Sequence, residues 1–73
     1  MEDLEIRDEY IKLCQALKLS GIADSGSEAK EMILSLKVKV NGQADERIRR
    51  KLYPGDVVDY EGRGFKVVGK HDN

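Results

Sequence analysis

The segment Ser25–Gly42, SGSEAKEMILSLKVKVNG, leaves a chain of this size little freedom in how it folds. Ser25 and Glu28 make an S-x-x-E capping box, in which a hydroxyl and a carboxylate satisfy amides that a helix start leaves unpaired. Ala29, Met32, Ile33 and Leu36 follow at i, i+3, i+4 and i+7, one apolar stripe of an amphipathic helix. The period then drops to two at Val38-Lys39-Val40, and Asn41-Gly42 is the strongest short signal for a two-residue hairpin turn. A helix that hands straight to a tight hairpin makes a rigid edge, and lysines sit off both apolar faces. At about 100° per residue, Lys30 and Lys37 fall beside each other on one flank of the stripe, with Ser27 and Leu34 further round. Val38 and Val40 inward turn Lys39 outward. Such an edge suits the grip of an anionic backbone better than it suits catalysis.

Size narrows the choice further. A chain of 73 residues is one domain, and it buries only roughly 60% of the surface its unfolded form exposes, too little for a deep cleft with its own supporting shell. Cys14 is the lone cysteine, so no internal disulfide staples the fold. With Leu13, Ala16 and Leu17 around it, it reads as a small buried thiol. No apolar run approaches the ~20 residues of a membrane span. The acidic start MEDLEIRDEY is neither a secretory signal nor a transit peptide, so a cytoplasmic protein without membrane contact is expected. His71 stands alone in a polar tail, and neither a nucleophile–base spacing nor a Cys/His cluster is present. No enzyme, cofactor, metal or small-molecule substrate is therefore expected.

Charge is distributed unevenly. The net formal charge is −1, but Glu2, Asp3, Glu5, Asp8 and Glu9 outweigh Arg7 at one end. In 37–51, Lys37, Lys39, Arg47, Arg49, Arg50 and Lys51 outweigh Asp45 and Glu46. Charges further apart than a Debye length, about 8 Å at physiological salt, hardly feel each other. The local basic patch therefore decides what the surface attracts.

The remaining elements can be placed coarsely. Residues 1–8 read as an acidic leader, in which Leu4 and Ile6 alternate as an edge strand would. Glu9–Lys12 is extended with Ile11 inward. Leu13 to about Leu19 is a short helix, stopped at Ser20-Gly21. Ile22 tucks into the core behind it. After Gln43-Ala44, an extended DERIRRKL would face Ile48 and Leu52 inward and set Arg47, Arg49 and Lys51 in an outward row. Arg50 breaks that alternation, so a bulge re-aims it or the segment is a loop. Pro54-Gly55-Asp56 is a turn, Val57–Tyr60 a strand, 61–64 a hairpin loop and Phe65–Val68 the last strand. The expected fold class is α+β: two short helices packed on a small antiparallel sheet of four to five strands joined in consecutive hairpins. The domain is expected over 9–69, with a polar tail at 70–73.

Leu13…Leu17, Ser25-x-x-Glu28-Ala29-Lys30-x-x-Ile33, Val38-x-Val40-Asn41-Gly42 and Pro54-Gly55-Asp56-Val57-Val58 stand together in an order that resembles the RNA-binding domain named after ribosomal small-subunit protein four, the alpha-L motif. Lys12-Leu13-Cys14-x-x-Leu17-Lys18-Leu19 and Arg47-x-Arg49-x-Lys51 are similar to its small stand-alone bacterial members of the YbcJ and YaaA type. The resemblance spans Tyr10 to Val68. It implies a monomeric, non-catalytic platform that docks on structured RNA, ribosomal or transfer RNA or a ribosomal particle, by phosphate contacts and shape. Its binding edge would comprise Lys12, Ser25, Ser27, Lys30, Lys37, Lys39 and Asn41, joined by the basic row Arg47, Arg49, Arg50 and Lys51. Two positions depart from the family pattern: Gly26 stands where Arg usually follows the capping serine, and Leu36 where Gly usually precedes the hairpin.

Tyr10 and Tyr53 read as core-margin residues, which leaves the edge without an exposed aromatic pair to stack unpaired bases. Two other readings compete. A β-grasp sulfur carrier shares the size and the two turns but needs a C-terminal Gly-Gly, and this chain ends Lys70-His71-Asp72-Asn73. A protein-interaction adaptor without strong RNA affinity is consistent with Gly26 and with the net charge.

Overall fold

Leu4, Ile6, Val38, Val40, Val58, Phe65 and Val67 alternate with less buried neighbours along four strands, and all are buried. In a computed structural model describing residues 2–70 they line one face of a five-stranded sheet. The elements are β1 (Glu2–Ile6), β2 (Ile11–Lys12), α1 (Leu13–Leu19), α2 (Gly26–Leu34), β3 (Val38–Val40), β4 (Gln43–Ala44), β5 (Lys51–Leu52), β6 (Val57–Tyr60) and β7 (Arg63–Gly69). The sheet order is β1-β7-β6-β3-β4, and β2 pairs with β5 in a separate two-stranded ribbon. Leu13, Ala16 and Leu17 of α1 and Ala29, Met32 and Ile33 of α2 close the core. Burying each large member contributes about 1.5–3 kcal/mol relative to leaving it in water. The two-helix α+β architecture is therefore the expected one.

Several local expectations change. The acidic segment 1–8 is no loose leader: Glu2–Ile6 is an edge strand parallel to β7, with Leu4 paired to Val67 and Ile6 to Gly69. Burial of Leu4 and Ile6 fixes it there, and it makes the sheet mixed rather than antiparallel. Ser25 caps α2 as its spacing predicts, its Oγ accepting from the Glu28 amide at 3.1 Å. The helix stops at Leu34, however, so Leu36 does not extend the apolar stripe. It lies half-exposed with φ 66°, a left-handed conformation that glycine would adopt without strain.

Asn41-Gly42 forms the predicted turn, with φ of 52° and 85° and Val40 opposite Gln43. The second hairpin is tighter than expected. Glu61-Gly62 is its whole turn, Tyr60 pairs with Arg63, and β7 begins there rather than at Phe65. Gly64 is required inside that strand, because a Cβ would come within 2.8 Å of the Val58 carbonyl oxygen.

The strands after Ala44 do not follow one another in consecutive hairpins. The chain leaves the sheet at Asp45, crosses to α1, adds β5 to β2 and returns through the 53–56 turn to pair β6 with β3. Among the described residues no helix is long and apolar enough to cross a membrane. The expectation of a solitary His71 lies outside the described residues, as does all of the tail beyond Lys70.

Candidate nucleic-acid interface

The excursion between β4 and β6 is what assembles the basic surface. Residues 45–50 are not an extended row. The Arg50 amide donates to the Arg47 carbonyl, closing a turn, and only Lys51–Leu52 is strand. The outward ladder of Arg47, Arg49 and Lys51 is replaced by a loop bound to the start of α1. The Leu13 amide donates to the Arg50 carbonyl at 2.8 Å and the Cys14 amide to the Ile48 carbonyl at 3.1 Å. Two amides that a helix start leaves unpaired are satisfied by the loop, which holds it in place. Ile48 packs against the core and Leu52 is fully buried, as the sequence pattern required. Cys14 is a free, half-buried thiol in this region.

Loop and ribbon bring Lys12, Arg49, Arg50 and Lys51 to one end of the molecule. The β2–β5 register sets Ile11 opposite Leu52 and Lys12 opposite Lys51. Like charges directly opposite on a strand pair are destabilising. Lys12 is also the residue that caps the positive end of the α1 dipole, where a cation is unfavourable. A Gln15 side chain, accepting from the Lys12 amide at 3.3 Å, is what closes that cap. The one local relief is aromatic, since Lys51 Nζ lies 4.8 Å from the centre of the Tyr10 ring.

The aromatic expectation holds for Tyr10, which is half-buried, and fails for Tyr53. Tyr10 and Tyr53 form a pair with ring centroids 6.0 Å apart and planes tilted by 51°. Tyr53 is 44% exposed, so it is not a core-margin residue. Sequence reasoning missed this pair because it depends on β2 meeting β5, some forty positions away along the chain.

Not every expected contact residue stands free. Asp45 gathers two guanidiniums, Arg47 in a paired interaction (Nη2–Oδ2 2.7 Å, Nε–Oδ1 3.1 Å) and Arg50 at 3.4 Å. The hydrogen bonds from Arg47 hold the Asp45 carboxyl below its ordinary value against the opposing effect of burial, and Arg47 is raised in return. Asn41, Gln43, Asp45, Arg47 and Arg50 line a shallow concavity between the hairpin and this loop. The Asn41 amide is engaged on both atoms: its Nδ2 donates to Asp56 Oδ1 at 3.1 Å, and its Oδ1 accepts from the Val57 amide at 2.9 Å. Asp56 Oδ2 accepts from the Tyr53 amide at 2.8 Å. A single carboxylate thus ties the hairpin turn to the residue that starts the 53–56 turn.

The helix-two residues are elsewhere. Lys30 and Lys37 do not share a helical flank, because α2 ends before Lys37, whose ammonium lies 3.3 Å from Glu61. Ser25, Ser27 and Lys30 lie on exposed positions of the α2 N-terminal half. The side chain of Lys18, a residue the sequence reading did not select, runs beside Gly26, its Cδ 3.9 Å from where a Cβ would be. Lys39 points out from the open face of the sheet, opposite Asp59.

Comparison with known proteins places this geometry. The family model described as S4 domain matches residues 4–68. A Bacillus subtilis (strain 168) protein named "Probable ribosome maturation protein RlbA" is 47% identical over 66 residues, covering 89% of this chain and 93% of the relative. YbcJ of Escherichia coli (strain K12) is 39% identical over 59 residues, covering 81% and 84%. The solution structure of E. coli YbcJ, described as revealing an "alfaL motif involved in RNA-binding", superposes with a TM-score of 0.73 at 35% identity, over 93% of this chain and 87% of that one.

Proposed function

The chain belongs to the S4 domain family, and from that premise we propose that it is a non-catalytic RNA-binding protein docking on structured RNA through the end where Lys12, Arg49 and Lys51 converge. One observation carries this reading: two lysines are opposed in register at the positive end of a helix. Selection for stability alone disfavours like charges opposed across a strand pair, whereas a polyanion crossing the ribbon would turn them into a gain. Lys18, Ser25, Ser27 and Lys30, at the start of α2, offer a second exposed set of polar and cationic groups away from the ribbon. Lys37 and Lys39, each set against an acid, contribute little. The RNA is ribosomal or transfer RNA, with a ribosomal particle as the setting, in keeping with the name of the B. subtilis relative. No part of the reading requires a cofactor or a membrane.

The test is a salt titration of binding to a structured ribosomal RNA fragment. Replacing Lys12, Arg49 and Lys51 together by Ala should cost about tenfold or more in affinity and flatten the log–log salt slope by about one unit per lost phosphate contact. The pair Lys39→Ala and Lys66→Ala should change affinity by less than about twofold. Equal losses in both variants would refute the assignment of this end. The adaptor reading draws on Leu19, Leu34 and Leu36, each more than half exposed. Purified protein free of nucleic acid at low salt, with no measurable RNA affinity, would favour it.

A further inference from the structure

We propose that the outward face of the β2–β5 ribbon is a stacking site for an unpaired nucleobase, with Tyr53 as the platform and Lys12 and Lys51 holding the flanking phosphates. The inference rests on the RNA-binding reading and adds to it what kind of RNA the ribbon selects.

The geometry starts from the register. Ile11 opposite Leu52 faces the core, so the residues on either side of each point outward. Tyr10 and Lys12 on one strand, with Lys51 and Tyr53 on the other, then form a two-by-two patch containing no acid. Within it the rings are a tilted pair at a normal aromatic spacing. One face of Tyr10 is covered by the Lys51 ammonium, which leaves Tyr53 as the ring with free surface.

The patch is held before any ligand arrives. Asp56 grips the Tyr53 amide and is itself tied to Asn41, so the platform is braced from the sheet. The fixed backbone at Tyr53 sets where the ring is presented, and a base of any identity can stack on it because every base has a π-face. Asp8 and Glu9 lead into Tyr10 from the other side, which puts the phosphates on the lysine side of the rings. A fully paired duplex offers no free base face except at its ends, so the patch discriminates loops, bulges and unpaired ends from continuous helix.

The experiment uses the whole chain and two RNAs that share one stem. One carries an unpaired loop with 2-aminopurine at a single position, and the other is a fully paired hairpin-free duplex closed by non-nucleotide linkers at both ends. Wild-type protein should bind the looped RNA more tightly and quench the 2-aminopurine. Tyr53→Leu should weaken binding to the looped RNA by about tenfold with an unchanged salt slope, and should bind the closed duplex as wild type does. Tyr53→Phe keeps the ring and should behave as wild type on both. The closed duplex is thus the folding control for each variant. If Tyr53→Leu weakens neither RNA, or both equally, the stacking site is wrong while RNA binding stands. If wild type binds neither RNA, the RNA-binding reading fails first and this inference with it.

Discussion

The open face of the sheet and the outward face of the β2–β5 ribbon both carry lysines, but they treat them in opposite ways. On the sheet, Asp3 is in register with Lys66 and Lys39 with Asp59, so each cation meets an acid across the strand. On the ribbon, Lys12 meets Lys51, and the nearest relief is the face of Tyr10. Cross-strand pairs contribute roughly 0.2–1 kcal/mol when charges are opposite and cost stability when they are alike. The first arrangement is what a solvated surface selected for stability looks like. The second sets like charges opposite each other, which costs stability in the free protein and would favour an anion lying across it. Net charge conceals this, because a chain at −1 can still hold a strongly cationic end.

The largest expected effect lies at the joint between the two regions. Asp56 accepts hydrogen bonds from the Tyr53 amide and the Asn41 side chain, so it couples the ribbon to the sheet. Asp56→Ala should lower stability by about 1–2 kcal/mol, since two donors lose a charged acceptor at a partly exposed site. In thermal unfolding that is a fall of roughly 4–8 °C for each kcal/mol. It should also loosen Tyr53 and so weaken binding of unpaired RNA more than that of duplex. A variant as stable as wild type would mean that the backbone bonds between the 53–56 turn and Val67, with the apolar contacts of Leu52 and Ile11, suffice to hold ribbon and sheet together.

How much of this was legible in the sequence follows from the range of the interactions. The α2 cap and the Asn41-Gly42 turn are set by residues within four positions of each other, and both form as their spacing predicts. Glu2–Ile6 was readable only as an alternation, because the strand forms through burial of Leu4 and Ile6 against β7, at the far end of the chain. The basic run left an extended row and a loop both open, Arg50 breaking the alternation; amides at the start of α1 recruit its carbonyls and decide for the loop. Leu36 shows the converse: the apolar stripe claims it for the helix, yet the chain must turn there to reach β3, and it does so at a strained φ. For the site, the identity of the cations was visible and their partners were not. Asp45 withdraws two of them, Glu61 another, and the tyrosine pair appears only when β5 meets β2.

A smaller effect tests the contrast by sign. Lys12→Gln removes one of two opposed lysines and a cation from the positive end of α1, so it should raise stability by a few tenths of a kcal/mol. Lys39→Gln removes the partner of Asp59 and should lower stability by a similar amount. Denaturant midpoints measured at low salt, where screening is weakest, would show the two shifts. Shifts of the same sign would show that register alone does not set the electrostatic cost.

The smallest effect concerns the loop between the two regions, and it depends on pH. Asp45 is held below its ordinary value chiefly by hydrogen bonds from Arg47, so the folded state binds its proton less readily than the unfolded chain. Its contribution to stability is therefore complete above the unfolded value near pH 3.8 and is lost as pH falls through the lower folded value. Asp45→Asn should be less stable than wild type at neutral pH, and the gap should close only in acid below that point. A gap unchanged down to the acid limit of the fold would mean that Asp45 acts by shape, not by charge. The same variant frees Arg47 and Arg50 at neutral pH, where RNA binding can be measured. If the acid serves to restrain the loop, affinity should rise by up to a few-fold while stability falls. That opposite movement would place the loop with the ribbon, as a cationic surface kept in check by one carboxylate, rather than with the balanced face of the sheet.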